Sequence, residues 1–327
     1  MNHNSTQMNA VTIPEFGDAE VLGSAALPLP EPGPGQVAID VAYAGANFAE
    51  VLYRRGVVDV PLPFVPGIEV AGRIRAVGQG VTHLTAGQPV AALTIVDSGG
   101  YAEVVVTSAD LVAPLDGLGI GLGVAAALPS NSTTAFLVLD RVARIAPGES
   151  VLVHAAAGGV GSQLGQVARL LGAGRVVGTV GSEAKIETAR QFGYDEVILR
   201  DRAAGAGPFD IVVDMVGGPA RRAGLDLLAP MGRLVAMGNA SGAEDVGLPA
   251  NDLWFTNKTV SGFNLAAFAA AFPEETGRAL RRAVAAAAAG DLRVRVESLP
   301  LGRAAEAHRR IESGTTTGKL VLEVAAW

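Results

Sequence analysis

Between Val151 and Gly161 the chain reads Val-Leu-Val-His-Ala-Ala-Ala-Gly-Gly-Val-Gly, a spacing of small residues suited to holding a phosphate. Set against the pattern G-x-G-x-x-G, the three positions fall on Ala156, Gly158 and Gly161, with Gly159 and Val160 between the last two. Ala156 is expected to make the tight turn, Gly158 to let the backbone approach a pyrophosphate, and Gly161 to let the following helix pack against the strand before it. The N–H groups that open the helix, aided by its dipole, then face negative charge. The bland alternative is a strand-to-helix turn with no ligand, because the chain holds 42 glycines and such turns arise by chance.

A second group of residues bears on the kind of dinucleotide. A site for NAD places a carboxylate at the end of the second strand, about 20 residues past the glycines, where it accepts from the ribose hydroxyls. Here that strand ends Thr179-Val180-Gly181-Ser182, with no acid. Lys185 follows one turn on, and Arg200 ends the next strand. A hydroxyl, a point cation and a guanidinium suit a 2′-phosphate, so NADPH is the expected cofactor. Glu183, next to Ser182, is read as an acid in the first turn of a helix. The alternative is that Lys185 and Arg200 are surface charges.

The elements that position these residues can be read from periodicity. Val151–Val153 runs without alternation, as a buried strand does. Val160, Leu164, Val167, Ala168 and Leu171 recur at helical spacing. From about Asn131 strands and helices alternate. A helix is expected over Thr133–Ala143, with Asn131, Ser132 or Thr133 as its N-cap. Strands follow at Ser150–Ala155, Arg175–Val180, Glu196–Arg200, Asp210–Met215, Arg233–Met237 and Thr259–Phe263, with helices at Val160–Gly172, Glu183–Phe192 and Pro219–Leu228. This is the rhythm of a doubly wound parallel sheet of six strands. Residues 8–130 instead show short β-segments between Pro and Gly turns, at Ala10–Ile13, Gln36–Ala44, Gly67–Val77, Pro89–Val96 and Gly100–Val106, with a helix at Phe48–Arg55; these suggest an irregular β-barrel. After Phe263 come two helical stretches, a strand at Arg293–Pro300, a helix at Leu301–Glu312 and a strand at Lys319–Val324. This tail has no place in a six-stranded sheet and is expected to return to the first domain.

Composition narrows the function classes. At 327 residues, 49% of them hydrophobic and 17% charged, the chain can bury a large core over two domains. A net charge of −7 argues against a nucleic-acid or anionic-membrane surface. The absence of cysteine removes disulfides, Cys-ligated zinc and thiol catalysis, and fits a reducing, cytoplasmic location. The apolar runs around 117–128 and 265–272 are too short for the ~20 residues of a membrane span. Residues 1–7 are polar and are expected to form a disordered extension rather than a signal peptide.

A further set of ordered matches carries a resemblance: Phe16-Gly17, Gly45-Ala46-Asn47-Phe48 ahead of Arg55-Gly56, Pro66-Gly67-Ile68-Glu69-Val70-Ala71-Gly72, Val77-Gly78, Gly87-Gln88-Pro89-Val90, Gly100-Tyr101-Ala102-Glu103, the turn at 155–161, Val213-Asp214-Met215-Val216-Gly217-Gly218 and Gly318-Lys319. Together they resemble the zinc-independent medium-chain dehydrogenases/reductases of the quinone oxidoreductase (zeta-crystallin-like) type. The resemblance implies a GroES-like catalytic domain over 1–130, a Rossmann NADPH-binding domain over 131–263, a C-terminal return over 264–327, and a cofactor cleft between the domains. Zinc-binding relatives place a Cys in the segment matching Ala44–Asn47 and a Gly-His-Glu where this chain has Gly67-Ile68-Glu69, so no metal is expected. His154, at the end of the first Rossmann strand, is read as a hydrogen-bonded residue beneath the glycine turn rather than a catalyst.

The resemblance also distributes cofactor contacts. Asn47 is expected near the nicotinamide and Thr133 beside its ribose or amide. Asn239 follows the fifth strand, and Phe263, Asn264 and Lys319 lie toward the nicotinamide half. Asn239 and Asn264 have the alternative of being turn residues. Many relatives carry a Tyr shortly after the match to Arg55-Gly56, where this chain has Val58. Tyr53 is the nearest phenol and stands with Asn47 as a catalytic candidate, with helix packing as its other reading. A substrate pocket lined by Tyr53, Val58, Phe64, Ser130 and Phe263 is expected.

The chemistry implied is hydride transfer from NADPH to a quinone or an α,β-unsaturated carbonyl. Water can protonate the delocalised anion so formed, in keeping with the lack of any acid–base pair or triad in the sequence. Two alternatives stay open: an enoyl-thioester reductase of a biosynthetic pathway, and a non-enzymatic NADPH-binding sensor or structural protein. A homodimer is expected from the resemblance, with Thr259–Phe263 as a plausible pairing edge.

Overall fold

The β-forming runs of the first 130 residues are short because Pro and Gly interrupt them. In the computed structural model, which describes residues 6–248 and 250–324, they become β1 (Gln7–Thr12), β2 (Gly23–Pro28), β3 (Gln36–Ala46), β4 (Glu69–Val77), β5 (Pro89–Leu93), β6 (Val104–Ser108) and β7 (Val112–Pro114). Helix α1 (Phe48–Arg54) leaves β3 directly, and α2 (Leu122–Ala125) and α3 (Asn131–Phe136) follow β7. The chain divides into two units. The first is drawn from Met1–Thr133, Leu265–Gly290 and Val294–Trp327, the second from Thr134–Asn264 and Asp291–Arg293.

In the first unit a seven-stranded sheet is built on β3. The tail supplies α8 (Leu265–Ala271), α9 (Pro273–Ala288), β14 (Val296–Pro300), α10 (Ala304–Glu312) and β15 (Lys319–Glu323). The strands run in the order β14-β15-β3-β4-β5-β7, with β6 also on β3. The returning strand β15 lies antiparallel to β3, with Leu320 opposite Ala46, so the tail completes this sheet as its pattern suggests. The β3–β4 ladder shifts register twice, between Ala38 and Ile39 and between Val41 and Tyr43, and such irregularities curl a sheet. Val37, Ile39, Val41, Val70, Ile74, Val90, Leu320 and Leu322 form its core.

The second unit carries the six-stranded sheet. Its strands are β8 (Ser150–Val153), β9 (Arg175–Val180), β10 (Glu196–Leu199), β11 (Phe209–Asp214), β12 (Leu228–Ala236) and β13 (Thr259–Gly262). They pair in the order β10-β9-β8-β11-β12-β13, all parallel. Helices α4 (Gly159–Leu170), α5 (Ile186–Arg190), α6 (Pro219–Asp226) and α7 (Ala250–Thr256) belong to the same unit. The strand order reverses between β8 and β11, the switch point at which open α/β sheets hold ligands beyond their carboxyl ends.

Several boundaries differ from the sequence reading. Gln7 already pairs in β1, so the expected disordered extension over 1–7 does not reach it; residues 1–5 lie outside the described residues. The helix expected from Thr133 begins at Asn131, which puts all three proposed caps inside it. Beyond Phe136 it widens, with Ala143 N bonding Val138 O five residues back. β12 starts at Leu228 rather than Arg233, ahead of a register shift opposite β11 between Phe209 and Ile211. No helix among the described residues is long and apolar enough to cross a membrane.

Close packing of α4 explains one glycine beyond the turn itself. A Cβ at Gly165 would stand 2.3 Å from Phe192 O and 2.7 Å from the Tyr194 ring. Helix propensity alone favours alanine over glycine by about 1 kcal/mol. Gly165→Ala is nevertheless expected to destabilise the protein by about 1–3 kcal/mol through overpacking. Gly302→Ala, whose Cβ meets nothing within 4 Å, should stay within about 0.5 kcal/mol of wild type. Urea unfolding midpoints decide both.

Candidate functional site

In the second unit, the residues singled out by sequence collect at the carboxyl ends of the parallel strands. β8 delivers the glycine turn, β9 leads to Ser182 and Lys185, β10 to Arg200, β12 to Asn239, and β13 to Phe263 and Asn264. The turn itself is shifted by one residue from expectation. The left-handed backbone lies at Ala155, with φ 54°, and not at Ala156. Ala156 is buried and donates its N–H to Thr179 O at 2.9 Å, extending the link between the first two strands.

Gly161 is required by close approach, since a Cβ there would stand 2.2 Å from Ala155 O. Gly158 is the N-cap of α4 and gives it no side-chain acceptor; a Cβ at Gly158 would meet only Ala155 O, at 3.3 Å. The helix therefore opens onto space next to small residues, which suits an anion.

Beneath the turn, His154 is buried and its Nδ1 lies 2.8 Å from Thr179 Oγ1. Burial pushes its pKa down to about 4, so it is neutral across the physiological range.

Lys185 and Arg200 converge beside Gly181. A Cβ at Gly181 would lie 3.7 Å from Arg200 Nη2. The Lys185 pKa is lowered, first by burial and then by the Arg200 charge. Arg200 Nε is buried without an acceptor among the described residues. Glu183, the acid that stood against the phosphate argument, is exposed, and its carboxylate lies 3.9 Å from Arg202. Two cations side by side, with the nearby acid closest to a different guanidinium, could together hold an anion.

Asn239 is a working turn residue. Its Nδ2 donates to Ala243 O at 2.8 Å and its Oδ1 accepts from Ser241 Oγ at 3.2 Å. Asp214, which sequence reading gave no role, organises this loop. Its fully buried carboxylate accepts from Val216 N, Gly217 N and Arg221 Nε at 2.9–3.0 Å. Arg221 passes the constraint on by donating to Gly238 O at 2.7 Å.

In the first unit, Asn47, Glu50, Glu69 and Lys319 form one buried polar cluster. β3 ends at Ala46 and the next residue, Asn47, caps α1; β4 starts with Glu69; β15 starts with Lys319. Asn47 and Glu50 make a capping box, with Asn47 N donating to Glu50 Oε2 at 3.0 Å. Ile68 N donates to Glu50 Oε1 at 3.1 Å. Asn47 Nδ2 donates to Glu69 Oε1 at 2.9 Å, and Ser130 N to Glu69 Oε2 at 2.7 Å. The Lys319 ammonium contacts both Glu69 Oε1 and Asn47 Oδ1.

Thr133 is fully buried, and its hydroxyl has no partner among the described residues. Tyr53 packs edge-on against Phe64 at 5.6 Å, and burial pushes its pKa up to about 12. Val57 and Val58 are exposed on the loop that follows. The far end of α1 is tied to α10 by the Arg54–Glu312 ion pair at 2.5 Å.

Sequence reading named Asn47 and Lys319 separately and missed Glu50 and Glu69 as their partners. The available signal was the Asn-x-x-Glu spacing of a capping box.

Residues 33–117 match the model of the alcohol dehydrogenase GroES-like domain, and residues 192–322 match that of zinc-binding dehydrogenases. The quinone oxidoreductase of Pseudomonas aeruginosa is 33% identical over 94% of this chain and 97% of its own length. The pikromycin polyketide synthase component PikAII of Streptomyces venezuelae is 37% identical over 94% of this chain, which spans only 8% of that protein. The crystal structure of Escherichia coli quinone oxidoreductase complexed with NADPH superposes with a TM-score of 0.86 at 29% identity, covering 97% of this chain and all of the other.

The buried cluster makes stability depend on pH. Burial pushes the Glu50 pKa up from 4.5 to about 7, against the opposing pull of Lys319. As pH rises from about 4.5 to about 7, the unfolded chain releases this proton and the folded protein keeps it. Stability from this group is thus full below the lower value and lost as pH passes the upper one. Relative to Glu50→Gln, wild type should lose on the order of 3 kcal/mol of unfolding free energy across that window. Equal pH slopes for the two proteins in denaturant titrations would contradict this.

Proposed function

Because this chain belongs to the quinone oxidoreductase (zeta-crystallin-like) family of medium-chain dehydrogenases/reductases, we propose that it is an NADPH-dependent oxidoreductase that reduces a quinone or an α,β-unsaturated carbonyl without a catalytic metal. The observation that carries the reading is the convergence of Lys185 and Arg200 beside Gly181 and Ser182, at the end of the second strand of the Rossmann sheet. A 2′-phosphate would meet there a hydroxyl, an ammonium and a guanidinium. The uncapped start of α4 at Gly158 takes the pyrophosphate in this reading. The NADPH-bound state of the E. coli relative supports the same assignment.

NADPH, when bound, supplies the hydride. The chain's own residues bind, orient and exclude water. Asn47, Thr133 and Lys319 are the proposed contacts toward the nicotinamide half, and the unpartnered Thr133 hydroxyl is available for one. Tyr53 stays a neutral phenol throughout the physiological range, so it can donate a hydrogen bond but does not act as a base. Protonation of the reduced acceptor is left to water. The metal-free reading is supported by Ile68, which has no ligating atom, and by Glu69, whose carboxylate is engaged by Lys319. The acidic net charge is compatible with the absence of a nucleic-acid partner and the cysteine-free composition with a cytoplasmic location.

Similarity to a polyketide synthase component favours a second reading, reduction of an enoyl thioester; Val58, in the place where many relatives carry a Tyr, weighs against it and makes the pocket more apolar. NADPH oxidation measured against quinones, simple enones and an enoyl thioester separates these. Tight NADPH binding with no turnover of any acceptor would leave only a binding protein. Lys185→Ala and Arg200→Ala should each raise the KM for NADPH about 10–100-fold, the effect of losing a charge-assisted contact worth about 1.5–3 kcal/mol. The KM for NADH should barely move. A wild-type preference for NADH would refute the phosphate assignment.

We also propose a homodimer that pairs across β13. This strand ends the sheet, and α7, which precedes it in the chain, presents Trp254 and Phe255 stacked at 4.7 Å and more than 70% exposed. An exposed aromatic pair and an open strand edge are each suited to burial against a second copy. Light scattering should give twice the chain mass, and the double change Trp254→Ser, Phe255→Ser should shift it toward the monomer. A monomeric wild type at micromolar concentration would dismiss the proposal.

A further inference from the structure

We propose that Glu50 is a positioning residue: together with Glu69 and Lys319 it fixes the Asn47 side chain in one orientation, with no hydrogen-bond donor left to offer a ligand. The role assigned to that ligand contact rests on the oxidoreductase reading above; the fixing of Asn47 does not.

Glu50 does more than a capping box needs. A capping glutamate satisfies N–H groups at the start of its own helix and can stay in water. Glu50 is fully buried, and burying a carboxylate is unfavourable unless its bonds are complete. Its oxygens receive Asn47 N at 3.0 Å, Asn47 Nδ2 at 3.4 Å and, from β4, Ile68 N at 3.1 Å. All three neighbours are donors. The carboxylate therefore joins the end of β3, the start of α1 and the segment leading into β4.

The Asn47 amide is held in one sense. Its Nδ2 faces the two carboxylates and its Oδ1 faces the Lys319 ammonium. A flip would set Oδ1 against both carboxylates and Nδ2 against the cation, so the amide cannot turn over. Both Nδ2 protons are then engaged inside the cluster, and Oδ1 faces the Lys319 ammonium and the Glu50 N–H of the capping box. Gly45 guards the arrangement, because a Cβ there would lie 2.3 Å from Glu69 Oε1. Asn47 so held would not donate to a carbonyl of a ligand.

The charged and titratable groups around Glu50 come from several elements: Glu69 on β4, Lys319 on β15, Tyr53 on its own helix and Tyr101 from the segment before β6. Protonating Glu50 removes the anionic acceptor from Asn47 and Ile68, so the clamp should slacken below about pH 7 even though the fold as a whole is stabilised there by shedding a buried charge.

The test uses the full-length protein labelled with 15N-asparagine and needs no turnover. The Asn47 side-chain amide of wild type should exchange slowly with solvent and shift with pH around a midpoint near 7, the value to which burial pushes Glu50. In Glu50→Gln the exchange should be at least 10-fold faster and the shift absent. An Asn47 signal in wild type that does not respond to pH would overturn the proposal even if the variant failed to fold. So would exchange in a folded Glu50→Gln as slow as in wild type. In the enzyme assay the variant should lose about 10-fold in kcat and the acid limb of its pH profile, with the KM for NADPH changed less than about 3-fold. An unchanged kcat and pH profile would refute the functional part. If wild type reduced no acceptor, the oxidoreductase reading would fail while the amide measurements still decided the positioning.

Discussion

Two carboxylates cut off from water set the terms for the first unit. Glu50 and Glu69 are both fully buried, and such groups persist only where donors and a counter-charge surround them. The counter-charge comes from Lys319, at the start of β15. That need explains several features at once. β3 must run to Asn47 so that its amide can bridge the two acids. The chain must remain glycine at 45, because any side chain would displace Glu69. The C-terminal segment must return and pair beside β3, because its lysine supplies the counter-charge to Glu69. The polar cluster and the sheet topology are one constraint viewed from two sides.

The second unit obeys a steric constraint instead. Ala155 O, Gly158 and Gly161 crowd together where the first strand turns into its helix, and the small residues there exist to allow that approach. Beyond the turn, charge takes over. Lys185 and Arg200 are held near each other despite their repulsion, whereas Asp214 and Arg221 spend their bonds on the shape of the loop around Gly238. The unit thus sets two cations beside each other at one strand end and an ion pair that shapes a loop at another.

Much of this was legible in the sequence. The central strands of the parallel sheet are buried on both faces, so Val151–Val153 and Arg175–Val180 read as nearly unbroken apolar runs, and β9 was found to the residue. What escaped was short or exposed: β2, β7, the single turn of α2, and α7, whose large aromatics face outward and give no inward stripe. At the glycine turn the spacing was readable but the left-handed residue was not, because alanine at 155 carries no sign of that conformation. Glu50 escaped because a glutamate at the start of a helix looks like an ordinary dipole partner. Its burial follows from β4 and β15, which are 19 and more residues away in sequence, and no local pattern reports that.

The return of the tail to the first sheet also fixes an order of events for a chain emerging from the ribosome. Glu50 and Glu69 are made early, and Lys319 follows Glu69 by 250 residues, 319 less 69. Until it arrives, β3 has no neighbour on its β15 side and the two acids have no fixed cation, so they hold their water. The second unit, continuous over Thr134–Asn264 apart from three later residues, can close in that interval. The unit that begins first therefore finishes last, and its polar centre dries only once the segment carrying Lys319 is available.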